Sequence, residues 1–191
     1  MASQKDERWV DWLKERIPDF KIYVESPMVK PIIDKLCFTS GQTFLEWGFG
    51  SGYIAIGLAN RGRAVQGYDL LPGLVDWAND TKKKCFSTTI GSVEFTADKN
   101  LVKSADIVYS QGLLEHFDNE GIVALLTEQL EFARKGLIFS IPSINYPNQD
   151  YGDERLLDLF EWEKILSPFG DKLVELYYYD QKLHIMGMIA K

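Results

Sequence analysis

Three glycines at alternate positions follow an apolar run and a single acid in the segment FLEWGFGSGY, residues 44–53. Glycine has no Cβ, so it lets a ligand approach the backbone closely and adopts positive φ at little cost. The apolar run predicts a first strand that ends at the glycines, and open α/β sheets bind their ligands at that end of a strand. The segment therefore predicts a strand, a ligand-binding loop and a helix in succession.

Strand and helix patterns alternate through the middle of the chain, from TFLEWG near residue 43 to GLIFSIPS near residue 136. In NEGIVALLTEQLEFAR, for example, Ile122, Leu126 and Leu130 recur on one helical face. Such alternation implies right-handed crossovers and a mostly parallel, doubly wound sheet with helices on both faces. We therefore expect a three-layer α/β fold.

The C-terminal segment departs from this alternation. Two strand patterns, DKLVELYYYD and LHIMGMIA, are separated only by Gln181 and Lys182, which is too short a connection to enclose a helix. We expect these two strands to pair as an antiparallel hairpin at the end of the sheet.

The length of 191 residues suits one domain, 1–191. Within it we expect two N-terminal helices in residues 1–38 and a core in residues 42–191. The N-terminal aromatic residues either cover a bound ligand as a lid or pack against the sheet, and these are Trp9, Trp12, Phe20 and Tyr23.

The charge balance narrows the function classes. A net charge of −7 disfavours nucleic acid as a partner, since phosphate backbones need clustered Lys and Arg.

The sequence predicts no membrane-crossing segment and no leader, so we expect a cytoplasmic protein. Cys37 and Cys85 lack metal-ligand spacing, and with His116 and His184 as the two histidines we expect no metal. The oligomeric state stays open.

The glycine loop alone leaves several interpretations open. Residues 50–55 satisfy the permissive G-x-G-x-x-G/A pattern of nicotinamide and flavin sites, and Asp69 lies 19 positions beyond Gly50. A P-loop is excluded because no Gly-Lys-Ser/Thr follows. A tight turn without any ligand is the third interpretation.

Acidic residues separate these interpretations. Glu46 precedes the first glycine by two residues, where it would repel a pyrophosphate but attract an ammonium group. Asp69 ends the second strand, where a carboxylate can accept both hydroxyls of a ribose, and Asp98 ends the third, where it can meet an adenine edge. The three acids suit a ligand with ammonium, ribose and adenine parts.

These motifs resemble those of the class I S-adenosylmethionine-dependent methyltransferases, over roughly residues 30–191. The matches are the E-x-G-x-G-x-G loop, the acids after the second and third strands, and the segment SQGLLEHF after the fourth. The resemblance implies a Rossmann-like seven-stranded sheet of order 3-2-1-4-5-7-6 and S-adenosylmethionine as cofactor. Trp47 and Phe49 depart from the smaller residues usual in the loop. The cofactor-binding positions that it implies are Glu46, Gly48, Gly50, Gly52, Asp69, Leu70, Asp98, Gln111 and Gly112.

The expected reaction is methyl transfer to a small-molecule acceptor. His116 follows the fourth strand and is the candidate base for an acceptor proton, with Glu115 as the alternative and a structural role for His116 also open. Two other functions are left open: a non-catalytic binding member of the fold, and an NAD-dependent oxidoreductase.

The loop after the fifth strand is the expected acceptor site, because loops at the carboxyl ends of strands carry function. It contains Tyr146, Tyr151, Glu154 and Arg155. Arg155 either binds an acceptor carboxylate or pairs with Asp153 or Asp158. The candidate acceptor-binding residues are Tyr23, Tyr146 and Arg155.

Overall fold

Seven β-strands form one sheet in the order β3-β2-β1-β4-β5-β7-β6, which confirms the order that the resemblance implied. The computed structural model describes residues 4–88, 90–149 and 153–191, with side chains from Trp9 onward. The strands are β1 Thr43–Trp47, β2 Ala64–Tyr68, β3 Ser92–Thr96, β4 Ala105–Gln111, β5 Ala133–Pro142, β6 Leu173–Tyr179 and β7 His184–Ala190. The α-helices are α1 Gln4–Arg16, α2 Phe20–Val24, α3 Lys30–Phe38, α4 Tyr53–Ala59, α5 Pro72–Cys85, α6 Asn119–Phe132 and α7 Leu159–Leu166.

The chain divides into two compact units, and the first is Met1–Lys103. In this unit β2 pairs in parallel with both β1 and β3, and Glu46 lies opposite Gly67 in the register. Helix α4 follows β1 after the glycine loop. It is buried from Ile54 to Ala59, so its sequence is apolar on every side rather than on one face. Helices α2 and α3 pack against α4, and α1 packs against α5.

The second unit, Ser104–Lys191, contains the antiparallel part of the sheet. Strand β4 pairs in parallel with β5, and β7 pairs antiparallel with β5 on one side and β6 on the other. The hairpin is therefore confirmed. Its turn spans residues 180–183 and is therefore longer than the expected dipeptide. Within it, Asp180, Gln181 and Lys182 adopt positive φ.

Helix α7 begins at Leu159. Asp158 caps it, and the side chain of Glu161 returns to the Asp158 N–H in a capping box. The residues from Asp153 to Leu157 consequently stay non-helical, and Leu157 forms an isolated parallel bridge with Ser143. Within the described ranges, no helix combines the length and apolarity that a bilayer crossing requires.

Candidate functional site

The glycine loop joins β1 to α4 through three left-handed residues. Gly48, Gly50 and Gly52 have φ values of 71°, 52° and 71°. The Gly48 N–H donates to the carbonyl of Tyr68 at 2.8 Å, and the Gly52 N–H donates to the carbonyl of Phe49 at 2.8 Å. This geometry explains why the sequence places glycine at all three positions, since other residues are strained at positive φ.

The surroundings of the glycines differ. A Cβ on Gly52 would lie 2.8 Å from the Phe95 ring, so this glycine is also required by packing. A Cβ on Gly50 would meet only the Leu13 side chain, at 3.9 Å, among the described atoms within 4 Å. The backbone at Gly50 is therefore the less crowded of the two.

Glu46 is the buried acid at the end of β1, with 2% of its surface exposed. Its Oε2 atom accepts a hydrogen bond from the Ala55 N–H at 3.0 Å, in the first turn of α4. A carboxylate at this end of a helix also interacts favourably with the helix dipole. The hydrogen bond of Glu46 thus links β1, before the loop, to α4, after it.

Asp69 follows β2 and reaches back to the same loop. Its Oδ2 atom accepts from the Gly50 N–H at 3.2 Å, and its Oδ1 atom accepts from the Leu71 N–H at 3.2 Å. Burial raises the pKa of this carboxyl to about 6, although backbone hydrogen bonds from Gly50, Leu71 and Leu70 oppose the shift. The neighbouring side chain of Leu70 is 74% exposed.

Asp98 lies after β3 on the surface. Its Oδ1 atom accepts from both the backbone N–H and the side-chain amide of Asn100, at 2.9 and 3.0 Å. Asp98 therefore caps the 3-10 turn Lys99–Leu101 in this structure.

Trp47 and Phe49, the two residues that are larger than usual for such a loop, are part of the core. Trp47 packs edge-on against Tyr68 with 4.9 Å between ring centroids. Phe49 is 3% exposed and lies 4.9 Å from the Phe95 ring, in an apolar cluster that includes Leu13 of α1. The large residue at position 49 thus connects the glycine loop to the N-terminal helix.

A second aromatic group surrounds the start of α4. Tyr53 contacts Phe20 and Tyr23 edge-on, with ring centroids 5.4 and 5.5 Å apart. The ring of Trp77 in α5 is tilted against that of Tyr53, with 6.1 Å between the ring centroids. Tyr23, a candidate acceptor-binding residue, is therefore placed beside the first residue of α4.

In the second unit, β4 ends at Gln111 and Gly112. Gly112 has a φ of 64°, and its N–H donates to the carbonyl of Ser140 at 3.0 Å. Gln111 lies opposite Ser140 in the β4–β5 register. A Cβ on Gly112 would lie 3.6 Å from Oε1 of Glu115. The residues expected at the methionine end of the cofactor and the buried acid are thus neighbours.

The imidazole of His116 contacts Asp153, an acid that no sequence motif links to it. Its Nδ1 atom lies 2.6 Å from Oδ1 of Asp153, which is 37 residues away in the chain. Only the sheet topology brings the segments after β4 and β5 together, so sequence spacing gives no signal for this pair.

Glu115, the residue before His116, is 3% exposed. Burial raises the pKa of its carboxyl to about 8, and the negative charges of Glu154 and Asp153 act in the same direction. Its Oε2 atom is buried and has no hydrogen-bond partner within the described ranges. A buried carboxyl of this kind is a frequent feature of functional sites.

The remaining acceptor-site candidates belong to the same unit. The guanidinium of Arg155 donates to the Phe117 carbonyl at 2.8 Å and to Oδ1 of Asn119 at 2.7 Å. The ring of Tyr146 lies edge-on to that of His184 at 5.2 Å. Tyr151 lies outside the described residues.

Comparisons with known proteins agree with the expected family. Residues 45–136 match the family described as "Methyltransferase domain". No curated protein matches the sequence.

Solved structures resemble the chain at low sequence identity. Magnesium protoporphyrin IX methyltransferase from Synechocystis PCC 6803, with bound S-adenosylhomocysteine, has a TM-score of 0.69 and 17% identity, covering 100% of this chain and 89% of that one. A SAM-dependent methyltransferase from Aquifex aeolicus has a TM-score of 0.73 and 14% identity, covering 95% and 97%. An O-methyltransferase family 2 protein from Planctomyces limnophilus, in complex with apigenin, has a TM-score of 0.70 and 12% identity, covering 100% and 62%.

At these identities the solved structures show the fold, and the family match over residues 45–136 adds the activity. The sheet order agrees with the fold of these structures. Residues 45–136 thus match a methyltransferase domain, and the chain has the fold of the class I S-adenosylmethionine-dependent methyltransferases.

Proposed function

We propose that this methyltransferase transfers the methyl group of S-adenosylmethionine to a small-molecule acceptor, with the glycine loop and its acids as the cofactor site. The observation that carries the cofactor site is that two carboxylates bond to the glycine loop and to the helix that follows it. Glu46 bonds to the helix after the loop, and Asp69 bonds to Gly50 within it.

The residues of the loop fit the chemistry of this cofactor. Its amino-acid end carries an ammonium group, which the buried charge of Glu46 would attract directly or through water. Its ribose carries two hydroxyls, which the Asp69 carboxylate can accept. A ligand can approach the backbone closely at Gly50, because among the described atoms only Leu13 lies within 4 Å of where a Cβ would stand.

The other cofactor-binding residues are proposed by their place at strand ends. Leu70 follows Asp69 with an exposed apolar side chain suited to an adenine face, and Asp98 lies at the end of β3. Gln111 and Gly112 end β4 and are proposed to line the methionine end. Gly48 and Gly52 complete the loop.

The bound cofactor supplies a methyl group on a positive sulfonium, so the protein must orient a nucleophile and exclude water. His116 is the proposed group that takes a proton from an acceptor hydroxyl. Its Nδ1 atom contacts Asp153, and this contact orients the ring. Glu115 is the alternative group, held in a buried position beside Gly112.

A small acceptor is favoured over nucleic acid by the net charge of −7. Tyr23 and Tyr146 offer aromatic surface for such an acceptor. Arg155 already donates to Phe117 and Asn119, so a role in binding an acceptor carboxylate would require it to exchange these partners. One protein of this fold is in complex with apigenin and another is a magnesium protoporphyrin IX methyltransferase, so phenols and carboxylates are suitable probes.

Methyl transfer from labelled S-adenosylmethionine tests the proposal. The full chain is incubated with a panel of phenols, including apigenin, and of porphyrin and simpler carboxylates, in parallel with total RNA and a denatured protein mixture. Labelling of a small molecule supports the proposal. Labelling confined to RNA or protein would overturn the acceptor class, and failure of S-adenosylhomocysteine to bind would overturn the cofactor site.

A further inference from the structure

We propose that His116, Asp153 and Glu154 form a binding site for a divalent transition-metal ion such as Mn²⁺ or Zn²⁺. One ligand atom from each residue lies within 4.8 Å of the others. Neighbouring donors on a tetrahedral ion at ~2.1 Å are about 3.4 Å apart, so small side-chain rotations would bring the three onto one ion. Imidazole nitrogen with carboxylate oxygen is a donor set that these ions accept.

The site lies on two short segments that the backbone holds together. The Arg155 N–H donates to the carbonyl of Glu115 at 2.9 Å, which ties the segment after β5 to the 3-10 turn Leu114–His116. The side-chain amide of Gln149 donates to the Glu154 carbonyl at 2.6 Å. These contacts hold the backbone segments that carry the three ligands next to each other.

A fourth carboxyl gives an independent indication of a ligand. Glu115 is at least nine-tenths buried, and its Oε2 atom has no hydrogen-bond partner among the residues that the structure describes. Glu115 directly precedes His116, and its carbonyl accepts from the N–H of Arg155, the residue after Glu154, so it lies beside the cluster. Buried polar atoms are normally paired, so an unpaired buried carboxyl oxygen next to three metal-type ligands supports a ligand at this place.

The nearest arginine in sequence does not supply this cation. Arg155 directs its guanidinium to the Phe117 carbonyl and to Asn119. Asp153, Glu154 and Glu115 bring three carboxyl groups close to one histidine. We expected no metal because the sequence has only two cysteines and two histidines, without metal-ligand spacing. This site is instead built mainly from carboxylates that lie far from His116 in sequence.

The inference deepens the role of His116 in the proposed function, on which it rests for its chemical consequence. With an ion bound, the imidazole would be a ligand rather than the group that takes the proton. A hydroxyl bound to such an ion has a lowered pKa and ionises more readily. The proton would then pass to solvent, and the charge on the acceptor oxygen would be balanced by the ion.

The test is a titration of the full chain with MnCl₂ after removal of metals by a chelator, following free Mn²⁺ by electron paramagnetic resonance. We expect one site per chain, at least ~10-fold weaker binding in His116→Gln, Asp153→Asn and Glu154→Gln, and displacement of Mn²⁺ by Zn²⁺. Asp180→Asn is the matched control, because Asp180 contacts His184 in a second His–Asp pair, at 3.2 Å. Circular dichroism checks that each variant is folded.

Absence of a Mn²⁺ or Zn²⁺ site in the wild type would overturn the inference, as would binding unchanged in the folded His116→Gln and Asp153→Asn variants. Equal weakening by Asp180→Asn would also overturn it, since the effect would not be local. S-Adenosylhomocysteine binding, measured on the same samples, reports on the proposed cofactor site separately.

Discussion

The backbone N–H of Gly50 donates to Oδ2 of Asp69 across 3.2 Å, and it joins the glycine loop after β1 to the acid after β2. The other carboxylate oxygen of Asp69 accepts from Leu71. The main chain thus fixes the orientation of the carboxylate that we propose accepts the ribose hydroxyls. Preorganised groups of this kind lose little entropy when they bind a ligand.

The pKa of Asp69 predicts a pH-dependent affinity for the cofactor. Burial raises that pKa to about 6, and an ionised carboxylate accepts hydroxyl hydrogen bonds more strongly than a neutral one. The Kd of S-adenosylhomocysteine should therefore rise by about tenfold between pH 7.5 and pH 5. Calorimetric titration across this range measures it.

Asp69→Asn is the control for this dependence. The amide does not titrate, so the variant should bind more weakly at pH 7.5 and with little change toward pH 5. A wild-type affinity that is flat across the range would show that Asp69 does not contact the cofactor.

The same pKa predicts the effect of pH on stability. The folded pKa lies above the unfolded value near ~3.9, so the folded protein binds the extra proton between about pH 4 and pH 6. The contribution of Asp69 to the free energy of unfolding should decrease as pH rises through that interval. Urea unfolding at several pH values should show a smaller decrease in Asp69→Asn, and an equal decrease would contradict the assignment.

Glu46→Gln should weaken binding of the amino-acid end of the cofactor and leave binding of its nucleoside end unchanged. The amide oxygen of glutamine can still accept from Ala55, so the fold is retained while the charge is lost. Binding of S-adenosylhomocysteine should weaken by about tenfold, in line with the loss of a charged hydrogen bond of ~1.5 kcal/mol or more. Methylthioadenosine, which lacks the ammonium group, should bind equally to both proteins. Equal weakening for both ligands would place Glu46 in a structural role alone.

Gly50→Ala tests whether the loop backbone is approached by the cofactor. The substitution adds a methyl group to a residue at φ 52° and costs about 1–2 kcal/mol of stability through backbone strain. Gly62→Ala is the matched control, because Gly62 has a φ of 82° at the other end of α4. Both variants should be destabilised in urea, and only Gly50→Ala should also lose affinity for S-adenosylhomocysteine. Similar affinity in the two variants would contradict a cofactor contact at Gly50.

The parts of this molecule that follow from local patterns could be predicted from the sequence. The strand before the glycines, the parallel alternation and the terminal hairpin each depend on neighbouring residues, and the structure has all three. The contact between His116 and Asp153 could not be predicted, because it joins loops that follow different strands. The same holds for Phe49, whose size is explained by packing against Phe95 and Leu13, far from it in sequence.

The packing of Phe49 predicts that the glycine loop and helix α1 are energetically linked. Phe49, Val10 and Leu13 belong to one apolar cluster, so Phe49→Leu should reduce the area that α1 buries there. We expect a loss of about 1–2 kcal/mol in the free energy of unfolding and faster hydrogen exchange in α1 than in α3. Phe139→Leu is the matched control, since Phe139 is fully buried in the second unit. It should lower stability by a similar amount without selective exchange in α1. If Phe49→Leu leaves exchange in α1 unchanged while unfolding is easier, the helix is held by other contacts and does not act on the loop through Phe49.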